Sequence, residues 1–546
     1  MSAPAVSLSQ LTPLSFLERS ATVHPTKPAV VHGDLTWTYS DLAQRVEQVA
    51  RALHATGVQA GDRVAYLMPN VPDMLVAHFA VPLAGAVLVA INTRLAPEEV
   101  RYILDHSGST VLVVDTELAS TLAPVVDALE TVRTVVVAAD PTVASPAPAA
   151  LPGAISFDEL LDLADGTDPL TWRVDDENAP ISINYTSGTT GRPKGVVYTH
   201  RGAYLNALGE NVHSDHSVDS VYLWTLPMFH CNGWCTTWSL VAAGGTQVCL
   251  REVRGDQVWS LIDRHAVTHL NGAPTVVTTI LNAPEAHLLD RPLVVTVAGA
   301  PPSPTTLAEA ETMGFAIVHV YGLTETYGPY TVNERQPAWQ SLPGDERAHL
   351  QSRQGVAMVQ ADPVRVVEPE LVDGVLVDVP ADGVTMGEIV MRGNTVMREY
   401  HRDGEATAKA FAGGWFHSGD LGVMHPDGYV ELRDRAKDVI VSGGENISTV
   451  EVEHAIASHP GVLEVAVVGV PDERWGERPK AFVVARSGHD VGEVALLEHV
   501  RSRLARYKAP REIQVVGELP KTSTGKVQKF ELREKEWSGE QSRIRG

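Results

Sequence analysis

The sequence predicts an α/β protein: a large N-terminal domain of sheets and helices ending in a β-rich subdomain, then a smaller α+β C-terminal domain. Three observations carry this. Apolar runs alternate with helical stretches through the first half of the chain, short strands and turns take over after about Gly383, and a compact run of helices and strands begins near Lys437. With 546 residues, 44% of them hydrophobic and 20% charged, the chain can bury a large core and has the composition of an ordinary globular protein.

Taken in order, RVAYLM (63–68) reads as a strand, a helix starts at about Pro72, AVLVAIN (86–92) is a second strand, Pro97 opens another helix, and TVLVVD (110–115) is a third strand. The apolar stretch from Leu75 to Ile91 is 17 residues long and interrupted by His78, Pro82 and Gly85. It falls short of the roughly 20 residues a spanning helix needs. It reads instead as a buried helix ending near Gly85 and a buried strand. Ala138 to Ala154, rich in Ala and Pro, reads as a surface loop. The rhythm returns with VYLWTLPM (221–228), TQVCL (246–250), VTHLNGA (267–273) and LVVTVAGA (293–300), which implies parallel strands covered by helices. EIVMRG, WFHSGDLGVM, YVELRDR and DVIVSG, separated by turns such as PDG (426–428), give the β-rich subdomain over about 383–436. The last unit, 437–546, carries the helix VEVEHAIASHP, the strands EVAVVGV and KAFVVAR, a helix near Val491 to Leu504 and the strand EIQVV. No repeat at solenoid periods is present.

The formal net charge of -24 repels nucleic acid and anionic membrane surfaces, so neither is an expected partner. From Arg501 onward, however, 12 Lys+Arg stand against 6 Asp+Glu. Such a basic tail facing an acidic body suits an anionic small molecule, a plain solvated face being the other reading. Cys231, Cys235 and Cys249 form no disulfide framework and have no metal-finger spacing, so they read as small buried residues in a reducing compartment, and the expected location is cytoplasmic. The N-terminus lacks the basic start and apolar run of a secretory signal, and the terminal SRIRG carries no peroxisomal address. Nothing in the sequence fixes an oligomeric state.

The most informative run is YTSGTTGRPKGVVYT (185–199), set between the strand-like ISINY and GVVYT. Gly188, Gly191 and Gly195 let a ligand approach the backbone, Thr186, Ser187, Thr189 and Thr190 offer hydroxyls, and Lys194 supplies a charge, as a polyphosphate grip requires. It is not a Walker A loop, because Lys194 is followed by Gly195 and by a strand. YTSGTTGRPKG resembles the phosphate-binding signature of the acyl-adenylate-forming superfamily, which includes acyl-CoA synthetases, luciferases and adenylation domains. Further matches occur in family order over nearly the whole chain: LPMFHCNGW (226–234), GAP (299–301), YGLTET (321–326), WFHSGDLG (415–422), RDRAKDVIVSGGENIS (433–448) and PKTSTGKVQK (520–529). MFHCNGWC together with ETYGPYTVNE looks most like the short- and medium-chain branch, including the methylmercaptopropionate-type ligases.

The resemblance implies stacked sheets in the large domain, a mobile C-terminal domain, and ATP, Mg²⁺ and coenzyme A as the small molecules handled. It implies that the 186–191 loop and Lys194 hold phosphates, that Glu325 binds Mg²⁺, and that Thr324 meets a phosphate oxygen. Gly299, Ala300 and Pro301 would lie against adenine, with Tyr321 and Gly322 also in the nucleotide site. Asp420 would accept from the ribose hydroxyls, with Arg435 as a second partner; without the resemblance, Asp420 reads as a turn residue and Arg435 as a surface ion-pair partner. Lys437 would be the hinge. Gly443 and Gly444 would border the pantetheine channel, a plain glycine turn being compatible with that. Lys526 would bridge the carboxylate and the α-phosphate, and His230 would gate the forming thioester, so the catalytic set is Lys526, Glu325, Thr324 and His230.

By position, His230, Trp234, Val297, Gly322 and Tyr327 are candidates for the wall of an acyl pocket, core packing being an equal alternative for each aromatic. Trp234 would shorten the pocket, and HCNGW holds no Lys, Arg or Asp to grip a second charge. A small or medium apolar monocarboxylic acid is therefore expected, with an arylalkanoate as another fit. The expected reaction is ATP-dependent activation of that acid as acyl-adenylate followed by transfer to CoA. An amide-bond-forming ligase with an amine acceptor is the main alternative. An amino-acid adenylation module is disfavoured by the absence of an acid in HCNGW, and a non-catalytic sensor by Lys194, Glu325, Asp420 and Lys526 occurring together.

Overall fold

Successive residues of single strands enter different cores, and this fixes the layering. Val64 and Tyr66 belong to one apolar cluster while Ala65 and Leu67 belong to another, so the strand Arg63–Leu67 is covered on both faces. A computed structural model of the chain describes residues 8–143, 151–186, 192–300, 304–442, 445–472, 474–489, 491–522 and 525–537.

Two large sheets organise the N-terminal domain. The first runs in the order Glu399–Tyr400, Gly195–Thr199, Pro180–Tyr185, Val87–Ala90, Arg63–Leu67, Ser109–Asp115, Thr134–Ala138, Ile155–Ser156, parallel throughout except for its first two strands. The second has a parallel centre, Phe315–Leu323, Leu293–Val297, His269–Gly272, Val221–Leu223, Thr246–Val248 and Pro28–His32, with antiparallel strands at both edges. Tyr222 and Trp224 from the second sheet share one core with Val64, Leu88 and Ile181 from the first, together with helices Leu14–Val23, Tyr39–Ala55, Pro72–Leu83 and His200–His213. The sheets are thus stacked across a common helical layer, as expected.

The apolar stretch that mimicked a membrane span is the helix Pro72–Leu83, buried from Met74 to Leu83, followed by the buried strand Val87–Ala90. Among the described residues no helix is long and apolar enough to cross a membrane. The β-rich subdomain is a four-stranded antiparallel sheet, Arg365–Val367, Gly387–Met391, Phe416–Met424 and Val430–Arg435. It begins earlier than the expected 383, because its first strand is three residues long and gives no legible alternation. Beyond it, a five-stranded sheet carries helices Thr449–Ala457, Glu493–Arg501 and Lys529–Trp537 and has apolar clusters on its two faces, which makes the C-terminal unit a domain with a core of its own.

Candidate active site

The carboxyl ends of parallel strands from both sheets meet at one place, where open α/β sheets bind ligands. Pro180–Tyr185 leads into the Gly/Ser/Thr loop, and the loop's base is closed by Thr186 N donating to Lys194 O at 3.0 Å and Lys194 N donating to Thr186 Oγ1 at 3.3 Å. Ser187, Gly188, Thr189, Thr190 and Gly191 lie outside the described residues, as do Pro301, Gly443 and Gly444. Leu293–Val297 ends at the exposed Gly299 and Ala300. Phe315–Leu323 leads into Thr324–Thr326, a single 3₁₀ turn. Gly322 admits no side chain: a Cβ there would stand 1.9 Å from Gly328 O.

Tyrosines join the two loops. Tyr198 OH donates to Thr324 O at 2.5 Å, Tyr400 OH donates to Glu325 Oε1 at 2.8 Å, and Lys194 Nζ lies 4.6 Å from the centre of the Tyr400 ring. Burial pushes the Glu325 carboxyl above the usual carboxylate range, and the Tyr400 hydroxyl works against that shift. A carboxylate has about four lone-pair sites, so one donor leaves room for a cation. Among the described residues no group of three or more His, Cys, Asp or Glu could hold a metal by itself. Glu325 therefore fits Mg²⁺ only as one carboxylate beside substrate phosphates, which is how that ion is commonly bound.

Asp420 is not a turn residue. It lies within the strand Phe416–Met424, buried at 3% exposure, directly opposite Arg435 on Val430–Arg435. Arg435 Nε stands 3.2 Å from one Asp420 oxygen and Tyr321 OH donates to the other at 2.7 Å. The antiparallel register, which a fifteen-residue spacing does not reveal, makes them partners. Asp420 in turn holds the Arg435 guanidinium more firmly protonated than usual.

The C-terminal domain brings its basic loop to the same place. Thr522 N donates to Lys526 O, and Thr275 Oγ1, from the helix Pro274–Leu281 of the large domain, donates to Gly525 O at 3.1 Å. Removal from water, then the Arg435 charge, pushes the Lys526 ammonium down to about 7. His230 is pushed down to about 4 by burial and by Lys526 itself, so the two side chains sense one another. Lys437, in the turn that follows Val430–Arg435, is lowered by burial and by Arg435.

Of the acyl-wall candidates, Trp234 packs with Leu226, Cys231, Ala298, Val320, Val332 and Met358. Val297 does not join them. It faces the opposite side of its strand with Val295 and Ile317, and the period of two puts Ala298 on the Trp234 side instead. Tyr327 is also a core residue: its ring stacks on Tyr198 at 3.9 Å and its hydroxyl accepts from Thr199 N at 2.7 Å.

Positive φ angles run through Cys231 (51°), Asn232 (53°), Gly233 (60°), Trp234 (56°) and Cys235 (62°), a left-handed turn directly after His230. Such a conformation costs roughly 1–2 kcal/mol per non-glycine residue. Tertiary contacts hold it: Asn232 Oδ1 accepts from Ser182 Oγ at 2.7 Å and from Asn184 Nδ2 at 2.8 Å, and Thr237 Oγ1 donates to Asn232 O. The Asn-Gly dipeptide was the signal in the sequence, since both residues tolerate this region. Tyr198, Tyr400 and Ala298 escaped sequence reading; alternation along LVVTVAGA could have found Ala298, whereas the tyrosines belong to no polar pattern.

This arrangement coincides with a known family. A family model for the AMP-binding enzyme matches residues 17–401, and one for the AMP-binding enzyme C-terminal domain matches 451–526. The chain belongs to the AMP-binding enzyme family. An acetate–CoA ligase of Humulus lupulus, CCL3, is 45% identical over 97% of this chain and 95% of its own. The peroxisomal acetate/butyrate–CoA ligase AAE7 of Arabidopsis thaliana is 46% identical over 96% of this chain and 94% of its own. Among solved structures, the anthranilate CoA ligase AuaEII bound to anthranoyl-AMP superposes with a TM-score of 0.84 at 25% identity, over 98% of this chain and 99% of the other. This AMP-binding enzyme has a large N-terminal and a smaller C-terminal domain.

Proposed function

We infer that this AMP-binding enzyme activates a short carboxylic acid with ATP and transfers the acyl group to coenzyme A, releasing AMP and pyrophosphate. The observation that carries this reading is the position of Lys526, a cation of the small domain within electrostatic reach of Arg435, Asp420 and His230. The CoA-ligase relatives support CoA rather than an amine as the acceptor.

In the first half-reaction a carboxylate oxygen of the acid attacks the α-phosphorus of ATP and the bond to pyrophosphate breaks. The 186–191 loop and Lys194 hold phosphates and Thr324 meets a phosphate oxygen. Asp420 accepts from ribose hydroxyls, with Arg435 fixing its orientation, and Tyr321, Gly322 and the 299–301 stretch flank the base. Glu325 would hold Mg²⁺, which would supply charge neutralisation on the phosphates. Lys526 stabilises the negative charge gathering between carboxylate and α-phosphate, a preorganised contribution worth about 10²–10³ in rate. In the second half-reaction the CoA sulfur attacks the acyl carbon and AMP leaves. We place the domain boundary and hinge at Lys437, dividing 1–436 from 437–546; rotation there removes Lys526 and brings Gly443 and Gly444 to the pantetheine channel, where His230 faces the thioester.

Trp234, closing the acyl space against Gly328, favours acids of a few carbons, in keeping with acetate, butyrate and 2-methylpropanoate ligases among the relatives. The three cysteines are free and buried, which fits a reducing compartment, and we propose the cytoplasm. Pyrophosphate release across a panel of acids, with products identified by mass spectrometry after adding CoA or amines, tests the whole reading. Acyl-CoA with a short-chain preference is expected. Acyl-AMP that persists with CoA and is consumed only by an amine would overturn it.

A further inference from the structure

We propose that Tyr400 is a positioning residue that holds the Glu325 carboxylate and the Lys194 ammonium in one fixed arrangement, so that metal and phosphate ligands from separate loops act on a single triphosphate. The proposal rests on the reading of Glu325 as the Mg²⁺ ligand and Lys194 as a phosphate ligand. The backbone already ties the elements together. Glu399–Tyr400 adds to the sheet edge beside Gly195–Thr199, with Arg398 N donating to Val197 O at 3.0 Å and His401 N to Gly195 O at 2.7 Å. Three residues before Tyr400, Met397 N donates to Glu325 O at 2.7 Å. Tyr400 therefore sits on the segment that staples the strand after the phosphate loop to the turn after YGL.

Its side chain uses both of its parts. The hydroxyl donates to Glu325 Oε1 at 2.8 Å, which leaves that carboxylate one preferred orientation, and the ring face lies 4.6 Å from Lys194 Nζ. A neutral donor on a metal-binding carboxylate orients it without competing for the cation's charge. An aromatic face attracts an ammonium while leaving its N–H donors free for phosphate. Tyr400 is 8% exposed, so neither contact is made by a freely rotating side chain.

The two parts are separable by substitution. In the full-length protein, the readout is the ATP-induced rise in melting temperature, titrated with Mg²⁺ at fixed ATP and with ATP at saturating Mg²⁺. Tyr400→Phe should raise the Mg²⁺ midpoint roughly 10- to 100-fold, the usual effect of losing a group that orients a metal ligand, while leaving the ATP midpoint at saturating Mg²⁺ and the ligand-free melting temperature unchanged. Tyr400→Leu should raise the ATP midpoint as well. Tyr400→Trp, which keeps a ring beside Lys194 and loses the hydroxyl, gives the same comparison if the Phe variant folds poorly. Glu325→Gln should raise the Mg²⁺ midpoint by itself, and adding Tyr400→Phe should then change nothing further. A Tyr400→Phe midpoint within twofold of the unsubstituted protein, with Glu325→Gln still shifted, overturns the role of Tyr400 alone. An unshifted Glu325→Gln overturns the Mg²⁺ assignment and the proposal with it.

Discussion

Asp420 and Arg435 are register partners on adjacent antiparallel strands, with 3.2 Å between carboxylate and guanidinium, and Tyr321 donates to the other carboxylate oxygen from a different sheet. One oxygen is steered by the β-rich subdomain and the other by the large sheet, so the carboxylate is held from two sides, as the ribose contact proposed for it would require.

Asp420→Asn keeps the shape but removes the charge. Hydrogen bonds to charged groups are worth about 1.5–3 kcal/mol, so ATP affinity should fall roughly 10- to 100-fold, with the melting temperature little changed. Tyr321→Phe should cost only severalfold. Isothermal titration calorimetry with ATP decides both; an unchanged dissociation constant for Asp420→Asn removes it from the nucleotide site.

Lys526, pushed down to about 7, is charged below that pH and neutral above it in the free enzyme. Because kcat/KM reports the free enzyme and kcat the bound complex, kcat/KM for ATP should fall as pH rises through about 7. The limb on kcat should lie higher, since bound phosphates favour the charged form. Lys526→Arg, charged throughout, should abolish the kcat/KM limb even at reduced rate. Persistence of the limb in that variant would assign it to another group.

Trp234, the proposed end wall of the acyl space, packs against Gly328, its indole within 2.9–3.0 Å of where a Gly328 Cβ would stand. Trp234→Gly should shift the preference toward longer acids by about fourfold in relative kcat/KM for each further methylene accommodated, as burying one is worth about 0.8 kcal/mol. Pyrophosphate release measured over straight-chain acids of increasing length checks this, and an unaltered optimum places the limiting wall elsewhere.

Glu210 is fully buried, both of its carboxylate oxygens lack a hydrogen-bond partner, and burial pushes it up to about 8. The unfolded chain gives up that proton near the ordinary carboxylate value, so stability should decline as pH rises from about 4.5 to about 8 and level off beyond. Glu210→Gln should flatten this slope and melt several degrees higher at pH 8, with little difference at pH 5. Scanning fluorimetry across that range reads the effect; parallel curves for both proteins would show that Glu210 does not titrate within it.

The parallel strands were legible because a strand covered on both faces reads as a continuous apolar run, as VLVA does. The strands Pro28–His32 and Leu35–Thr38 escaped notice because they complete the second sheet beside Thr246–Val248, a pairing no local pattern records. Among the candidate site residues, Lys194 stood out from its glycine-rich loop, whereas Asp420 and Lys526 were picked out only by the family resemblance of their motifs. Their wiring was illegible: the pairing of Asp420 with Arg435 depends on strand register, and Tyr198 and Tyr400 look like ordinary strand aromatics until the two sheets are stacked.

The left-handed turn from Cys231 to Cys235 constrains how this enzyme can diversify. Branched residues such as Val, Ile or Thr are penalised at Trp234 by the backbone itself, whatever space the pocket offers, whereas glycine relieves the conformation it enters. Mutational drift at Trp234 is therefore steered toward glycine and unbranched side chains. On the proposed acyl-wall role of Trp234, graded changes of acid preference are expected at its ordinary-backbone neighbours Ala298 and Met358, and directed-evolution libraries aimed at graded selectivity belong there.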